Sequence, residues 1–165
     1  MFSTVFGLPA HPLVVHAAVV LVPLAAAGGL LVAMWPAARA RYAPLALGIA
    51  TLAMITIPLA TQTGEQLEEN VRPSTLVERH AHMAEGLLPF MAVLWLSLAV
   101  LVGVRWYGAA ARARWTSYIG VGAAAVTIAA SVGSAVQVVR IGHSGSEAAW
   151  HGVATSSTRG GGPNH

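Results

Sequence analysis

The sequence predicts an all-α integral membrane protein, a four-helix transmembrane bundle with both termini on the outer side. Three observations predict it. Charged residues make up 9% of the chain and apolar residues 56%, whereas a soluble domain carries about 25% charge. The chain therefore lacks the polar surface to cover itself in water. Four apolar stretches approach or exceed the roughly 18–20 residues that a spanning helix needs. Arginines and aromatics gather in two short connections on one side of those stretches, and all 6 acids fall on the other side.

The spans fall at about residues 13–35, 43–60, 83–104 and 117–139. No Lys or Arg precedes Arg39, so the first run lacks the cationic start of a secretory signal peptide and reads as a retained helix. His11 stands before Pro12, a position biased away from helix, and is expected to be extended and outside the first span, capping its start. The connection "PAARARY" leads to the second and shortest span. The third helix is expected to begin ahead of its apolar run, because "TLVE" fits a capping box with Thr75 as cap and Glu78 reaching back. After "RWYGAAARARW" comes a fourth span rich in Gly, Ala and Ser. Ala125, Ala129 and Gly133 there offer small residues at four-residue spacing, which lets membrane helices approach closely; a flat cofactor would need the same small faces. The polar, Gly-rich "ATSSTRGGGPNH" reads as a disordered tail, so the 165 residues divide into one membrane domain, 1–152, and a tail, 153–165.

Orientation follows from arginine and aromatics. The two short connections hold Arg39, Arg41, Arg105, Arg112 and Arg114, bracketed by Trp35, Tyr42, Trp106, Tyr107, Trp115 and Tyr118. An acid-free basic loop within an interfacial aromatic belt faces the cytoplasm. A sequence pI near 10.2 arises from these loop arginines and forms no stripe, which argues against nucleic acid as a partner. The absence of cysteine removes disulfides, thiolate nucleophiles, cysteine-ligated iron–sulfur clusters and covalent c-type haem attachment.

Six of the seven histidines then gather at the outer membrane face, and the inner half of the bundle has none. His16, Glu65, His80 and His143 come one from each span and are the candidate cofactor or metal ligands. His16 is the first of them, since an ionisable group inside a span is a functional candidate by default. His11, His82, Glu85 and Arg140 are supporting candidates. Successive helical positions turn by about 100°, so His80 and His82 face opposite ways. Glu85 must avoid lipid and shares a face with His82, which points His82 and Glu85 inward. Gly142 is expected to end the fourth helix beside His143, with Ser144 capping a short interfacial helix. His143, Glu147 and His151 share a face only if the helix runs on through the glycines.

The segments "GLPAHPLVVHAAVVLVPLAA", "TGEQLEE", "VERHAHMAEGLLPF" and "QVVRIGHSGSEAAWHG", in this order, resemble a bacterial family of membrane proteins called domain of unknown function 2231. The resemblance covers the chain up to about Gly152. It implies a four-helix module in the bacterial cytoplasmic membrane, similar in architecture to b-type cytochrome bundles, and some relatives join it to a Rieske iron–sulfur domain. The family's HPxxxH motif falls on His11 and His16, its glycine–glutamate motif on Gly64 and Glu65, its third-helix histidine on His80 rather than His82, and its GHSG motif on His143. Glu85 matches an acidic position. The family has no settled activity.

Three functions fit these residues. Imidazoles from two helices, His16 with His80 or His143, would ligate haem b, with Arg79 and Arg140 near its propionates. Alternatively His16, His80, His143 and Glu65 would hold Zn or Cu at the outer end of the bundle. In the third, a non-catalytic subunit uses its histidines as a hydrogen-bonded polar plug. The association with a redox domain tips the reading toward haem, by analogy alone. A redox partner would then be a separate protein or quinol. Membrane lipid is the one partner composition dictates, and the small-residue fourth span leaves an oligomer open.

Overall fold

The computed structural model describes residues 4–5, 8–68, 75–111 and 114–159, with the side chains of all of these except 4–5, 8–10, 67–68, 76–77, 108–111, 114, 148–149 and 151–159. A two-residue antiparallel pair, β1 (Thr4–Val5) and β2 (Leu8–Pro9), precedes the helices. These are α1 (Ala10–Met34), α2 (Pro36–Glu68), α3 (Thr75–Glu85), α4 (Leu87–Ala111) and α5 (Arg114–Arg159). Four stretches are long and apolar enough to cross a membrane: His11–Met34, Pro36–Gln66, Glu78–Tyr107 and Trp115–Glu147. Around the bundle α1 packs on α2 and α5, and α4 packs on the same two, so α1 and α4 lie diagonally opposite. At one end α1 and α3 begin while α2 and α5 finish, and α3 packs on α5 there.

Helical periodicity selects the core. Ala43, Ala46, Ala50 and Ala53 of α2 and Met91, Leu94, Leu98 and Leu101 of α4 are all buried in one core. Small residues on one helix admit the large ones of the other, the arrangement that lets helices approach without a water-driven hydrophobic term between them. Leu45, Leu52, Val121 and Val132 are exposed, as lipid-facing positions should be. Buried hydroxyls add cross-helix bonds: Thr127 Oγ1 lies 2.9 Å from Ser97 Oγ, and Trp95 Nε1 donates to Thr51 Oγ1 at 2.8 Å.

Several expectations change. Trp35 alone separates α1 from α2, so "PAARARY" is the opening of a helix. Pro36 suits a first helical position. Arg39 donates from Nε to Val32 O (2.8 Å) and from a terminal guanidinium nitrogen to Ala33 O (2.5 Å), pairing carbonyls that the end of α1 would leave open. His11 is helical, because Pro12 falls within the first turn of α1, where the N–H that proline lacks has no intrahelical partner to lose. α3 does start at Thr75, but it breaks from α4 at Gly86. The Met83 carbonyl near this break accepts a hydrogen bond from Gln137 Nε2 at 2.9 Å.

The largest correction concerns α5, which passes through Gly142 and Gly145 without a stop and reaches Arg159. Each helical glycine costs about 1 kcal/mol relative to alanine, too little to end a helix held by packing. Ser144 caps nothing; its hydroxyl donates back to Ile141 O at 2.9 Å inside the helix. Positions 143, 147 and 151 therefore do lie on one continuous helix. α5 also continues past the expected start of the tail, of which 160–165 lies outside the described residues. Of the small-residue trio, Ala125 and Ala129 are exposed, and Gly133 packs against Phe90.

Candidate functional site

A cavity of about 580 Å³ opens at the end of the bundle where the histidines lie, between α1, α2, α3, α5 and the first residue of α4. Val15, Val19, Ile57, Val138 and Ile141 make apolar walls, and its ionisable lining is His11, His80, Glu65 and Glu85. Its size falls within the ~300–1,000 Å³ usual for small-molecule and cofactor sites, and a mostly apolar wall with a few placed polar groups is their usual chemistry.

His11 reaches the cavity from the first turn of α1. Its Nδ1 lies 3.1 Å from Ala60 O and 3.3 Å from Thr63 Oγ1 on α2. A carbonyl only accepts, so Nδ1 carries the proton and Nε2 is left with its lone pair. His80 reaches the cavity from α3, with Nδ1 3.1 Å from Ser144 Oγ on α5. Ser144 Oγ also stands 2.9 Å from Ile141 O; with its one proton directed there, Ser144 Oγ accepts from His80 and the same tautomer follows. Neither Nε2 has a hydrogen-bond partner among the described residues. A hydrogen-bond acceptor that holds one ring nitrogen is how proteins orient imidazole ligands.

Glycines back both rings. A methyl group on Gly64 would lie 3.0 Å from His11 Cε1, and one on Gly145 would lie 3.0 Å from His80 Cε1. Gly142, beside the latter, has open space around it.

The remaining predicted residues scatter. His16 is exposed, bonds its own helix through Nδ1 to Pro12 O at 2.6 Å, and does not line the cavity. His143 is 76% exposed and lies 3.6 Å from Glu147. His82 and Glu85 do pair, at 3.6 Å, but outward, with side chains 89% and 64% exposed. The inward placement of His82 is thus corrected, whereas Glu85 lines the cavity. Glu85 ends α3 at the Gly86 break, at the edge of the cavity. His80, the position that the family resemblance selected, is the one facing the bundle. Glu65 lines the cavity and is exposed, while Arg79 and Arg140 are exposed and outside its lining. Among the described residues no three His, Asp or Glu side chains converge on a point that would hold a metal ion. Sequence reasoning placed His11 in a supporting role and missed Thr63, Ser144 and Gly145. A hydroxyl followed by glycine, at the ends of both the second and fourth spans, is the signal that marks them.

No curated protein and no solved structure matches the chain significantly. A family model does, over residues 7–157, and its description is a predicted membrane protein (DUF2231). Four candidate spans, the histidine-bearing end and a match over most of its length agree: the chain belongs to the DUF2231 family of predicted membrane proteins.

Proposed function

We propose that the cavity holds haem b, that His11 and His80 would be the residues that hold its iron, and that the protein is a membrane electron carrier serving a separate redox partner or quinol at the outer face. One observation carries this reading: two imidazoles on different helices line one apolar cavity, each with Nδ1 bonded to protein and Nε2 without a partner among the described residues. Paired imidazoles from facing helices are the donor set of haem sites in helical bundles. When bound, the group would supply reversible one-electron transfer. The chain's own part is to present two nitrogens, exclude lipid through Val15, Ile57, Val138 and Ile141, and leave a polar rim at Glu65 and Glu85. His16 and His143 drop out of the ligand pair on this reading, because neither lines the cavity.

A bare Zn or Cu ion has less support, since it would need a third or fourth protein ligand near the two imidazoles. The polar plug keeps one observation in its favour: both rings already have protein partners at Nδ1. The test is an absorption spectrum of the detergent-purified chain before and after haem addition and dithionite, with metal content measured on the same sample. A Soret band that saturates at one haem per chain, with sharp reduced α and β bands, is expected. One zinc or copper per chain without haem uptake overturns the haem assignment in favour of an ion. Neither haem nor metal taken up leaves the histidines as a plug.

A further inference from the structure

We infer that the bundle is two copies of one hairpin unit, each carrying the same imidazole clasp, and that Thr63 and Ser144 are its positioning residues. In the first unit α1 carries His11 in its first turn and α2 carries Thr63–Gly64 near its end; in the second, α3, continued by α4, carries His80 and α5 carries Ser144–Gly145 before running on to Arg159. In both, the hydroxyl stands next to Nδ1, at 3.3 Å in the first and 3.1 Å in the second. In both, that hydroxyl is anchored on the preceding turn of its own helix: Thr63 to Leu59 O at 2.8 Å, Ser144 to Ile141 O at 2.9 Å.

The glycines repeat the geometry more closely still. From the position of an added methyl, His11 Cε1, Nδ1 and Nε2 stand at 3.0, 3.4 and 3.9 Å on Gly64, and the same atoms of His80 at 3.0, 3.3 and 3.8 Å on Gly145. Each ring therefore lies against a bare stretch of helix backbone, held in the same pose. The two arms of each unit run in the same directions as those of the other, so the repeat is parallel, of the kind related by an axis along the membrane normal. A parallel repeat brings its two imidazoles to one end of the bundle and one cavity. An inverted repeat would have put them at opposite ends.

The physical consequence concerns Nε2. A hydroxyl or carbonyl that accepts from Nδ1–H fixes the tautomer and makes Nε2 a stronger electron donor, and such partners typically change metal affinity by ~10–100-fold when removed. His11 leans on the Ala60 carbonyl with Thr63 beside it, while among the described residues His80 has Ser144 as its one partner. Removing Ser144 should therefore affect its ring more than removing Thr63 affects His11.

The inference rests on the proposed haem site, but the clasp can be tested without haem. Chain labelled with ¹⁵N-histidine, in detergent with no haem added, is expected to show His11 and His80 each with one protonated and one bare ring nitrogen, assigned by His11→Gln and His80→Gln. Ser144→Ala should move the His80 nitrogens toward the averaged pattern of an exposed imidazole and leave His11 unchanged, and Ser144→Thr should restore them. On haem addition, Ser144→Ala should weaken binding by about tenfold or more and raise the midpoint potential, because a less electron-rich imidazole favours the reduced iron. His80 nitrogens unmoved in Ser144→Ala overturn the clasp, whether or not haem binds. Nitrogens that respond as expected in a chain that takes up no haem uphold the clasp and overturn the haem assignment instead.

Discussion

A partner for Nδ1 on a neighbouring helix separates His11 and His80 from His16, His82 and His143, which line no cavity. Each of the two has a cross-helix partner at Nδ1, a carbonyl for His11 and a hydroxyl for His80, and both residues line one cavity. His16 makes a similar bond, but to its own helix, at an exposed position. His11→Ala and His80→Ala are therefore expected to abolish haem binding, while His16→Ala and His82→Ala retain it; Soret absorbance per chain after reconstitution checks this. A wild-type level in His80→Ala would remove the site. Gly64→Ala and Gly145→Ala each place a methyl 3.0 Å from a ring carbon, closer than ordinary van der Waals contact. Each should displace its imidazole by a few tenths of an ångström and weaken haem binding to a similar degree, whereas Gly48→Ala, with open space around it and outside the cavity lining, should not. Titrating haem into the three variants side by side would show whether the two halves of the site are equivalent.

At the scale of the element, tertiary contacts decide what the glycines do. Gly142 read as a helix stop because glycine often ends helices, yet α5 runs through it, and Gly145 serves as the bed of an imidazole. Gly86, which carried no signal in the sequence reading, is where a helix does break. The difference lies in partners: Gln137 on α5 takes the Met83 carbonyl near the break, a contact between residues 54 apart in the chain. Gln137→Leu should leave that carbonyl unpaired and speed amide hydrogen exchange in α3, while the interior of α4 keeps its protection. Equal exchange in both forms would show that the bond does not hold the junction. Close helix approach is equally specific. A methyl on Gly29 would stand 2.5 Å from Ser131 Oγ and 3.0 Å from Leu94 Cδ1, so Gly29→Val should destabilise the bundle by about 1–3 kcal/mol, the usual cost of overpacking, read as a lower midpoint of thermal unfolding in detergent. The stripe visible in the sequence, Ala125 and Ala129, lies exposed instead, because four-residue spacing marks a face without saying which helix meets it.

For the whole molecule, what the sequence made legible was whatever the bilayer enforces. Hydrocarbon thickness sets span length and a polar group's aversion to lipid sets the depth of the histidines, so the four spans and the histidine-bearing end could be read from residue order. Helix rotation at the membrane surface was not legible, because water is within reach there and His82 has no obligation to face inward. The pairing of His11 with Ala60 and of His80 with Ser144 was hidden for another reason: it joins residues 49 and 64 positions apart. Orientation across the membrane is the remaining global property, and it rests on the acid-free arginine connections between α1 and α2 and between α4 and α5. The chain has no cysteine, so a single introduced thiol reports its own side without background. Ala40 and Ser146 are exposed, at opposite ends of the bundle. In intact cells a membrane-impermeant maleimide is expected to label Ser146→Cys and to reach Ala40→Cys only after the membrane is opened. The reverse pattern would put the cavity on the cytoplasmic side, where Glu65 and Glu85 would face cytoplasmic rather than outer-face partners. Labelling at both positions in intact cells would mean that the modest arginine bias fails to select one topology. Adding arginines to "PAARARY" should then restore labelling at Ser146→Cys alone.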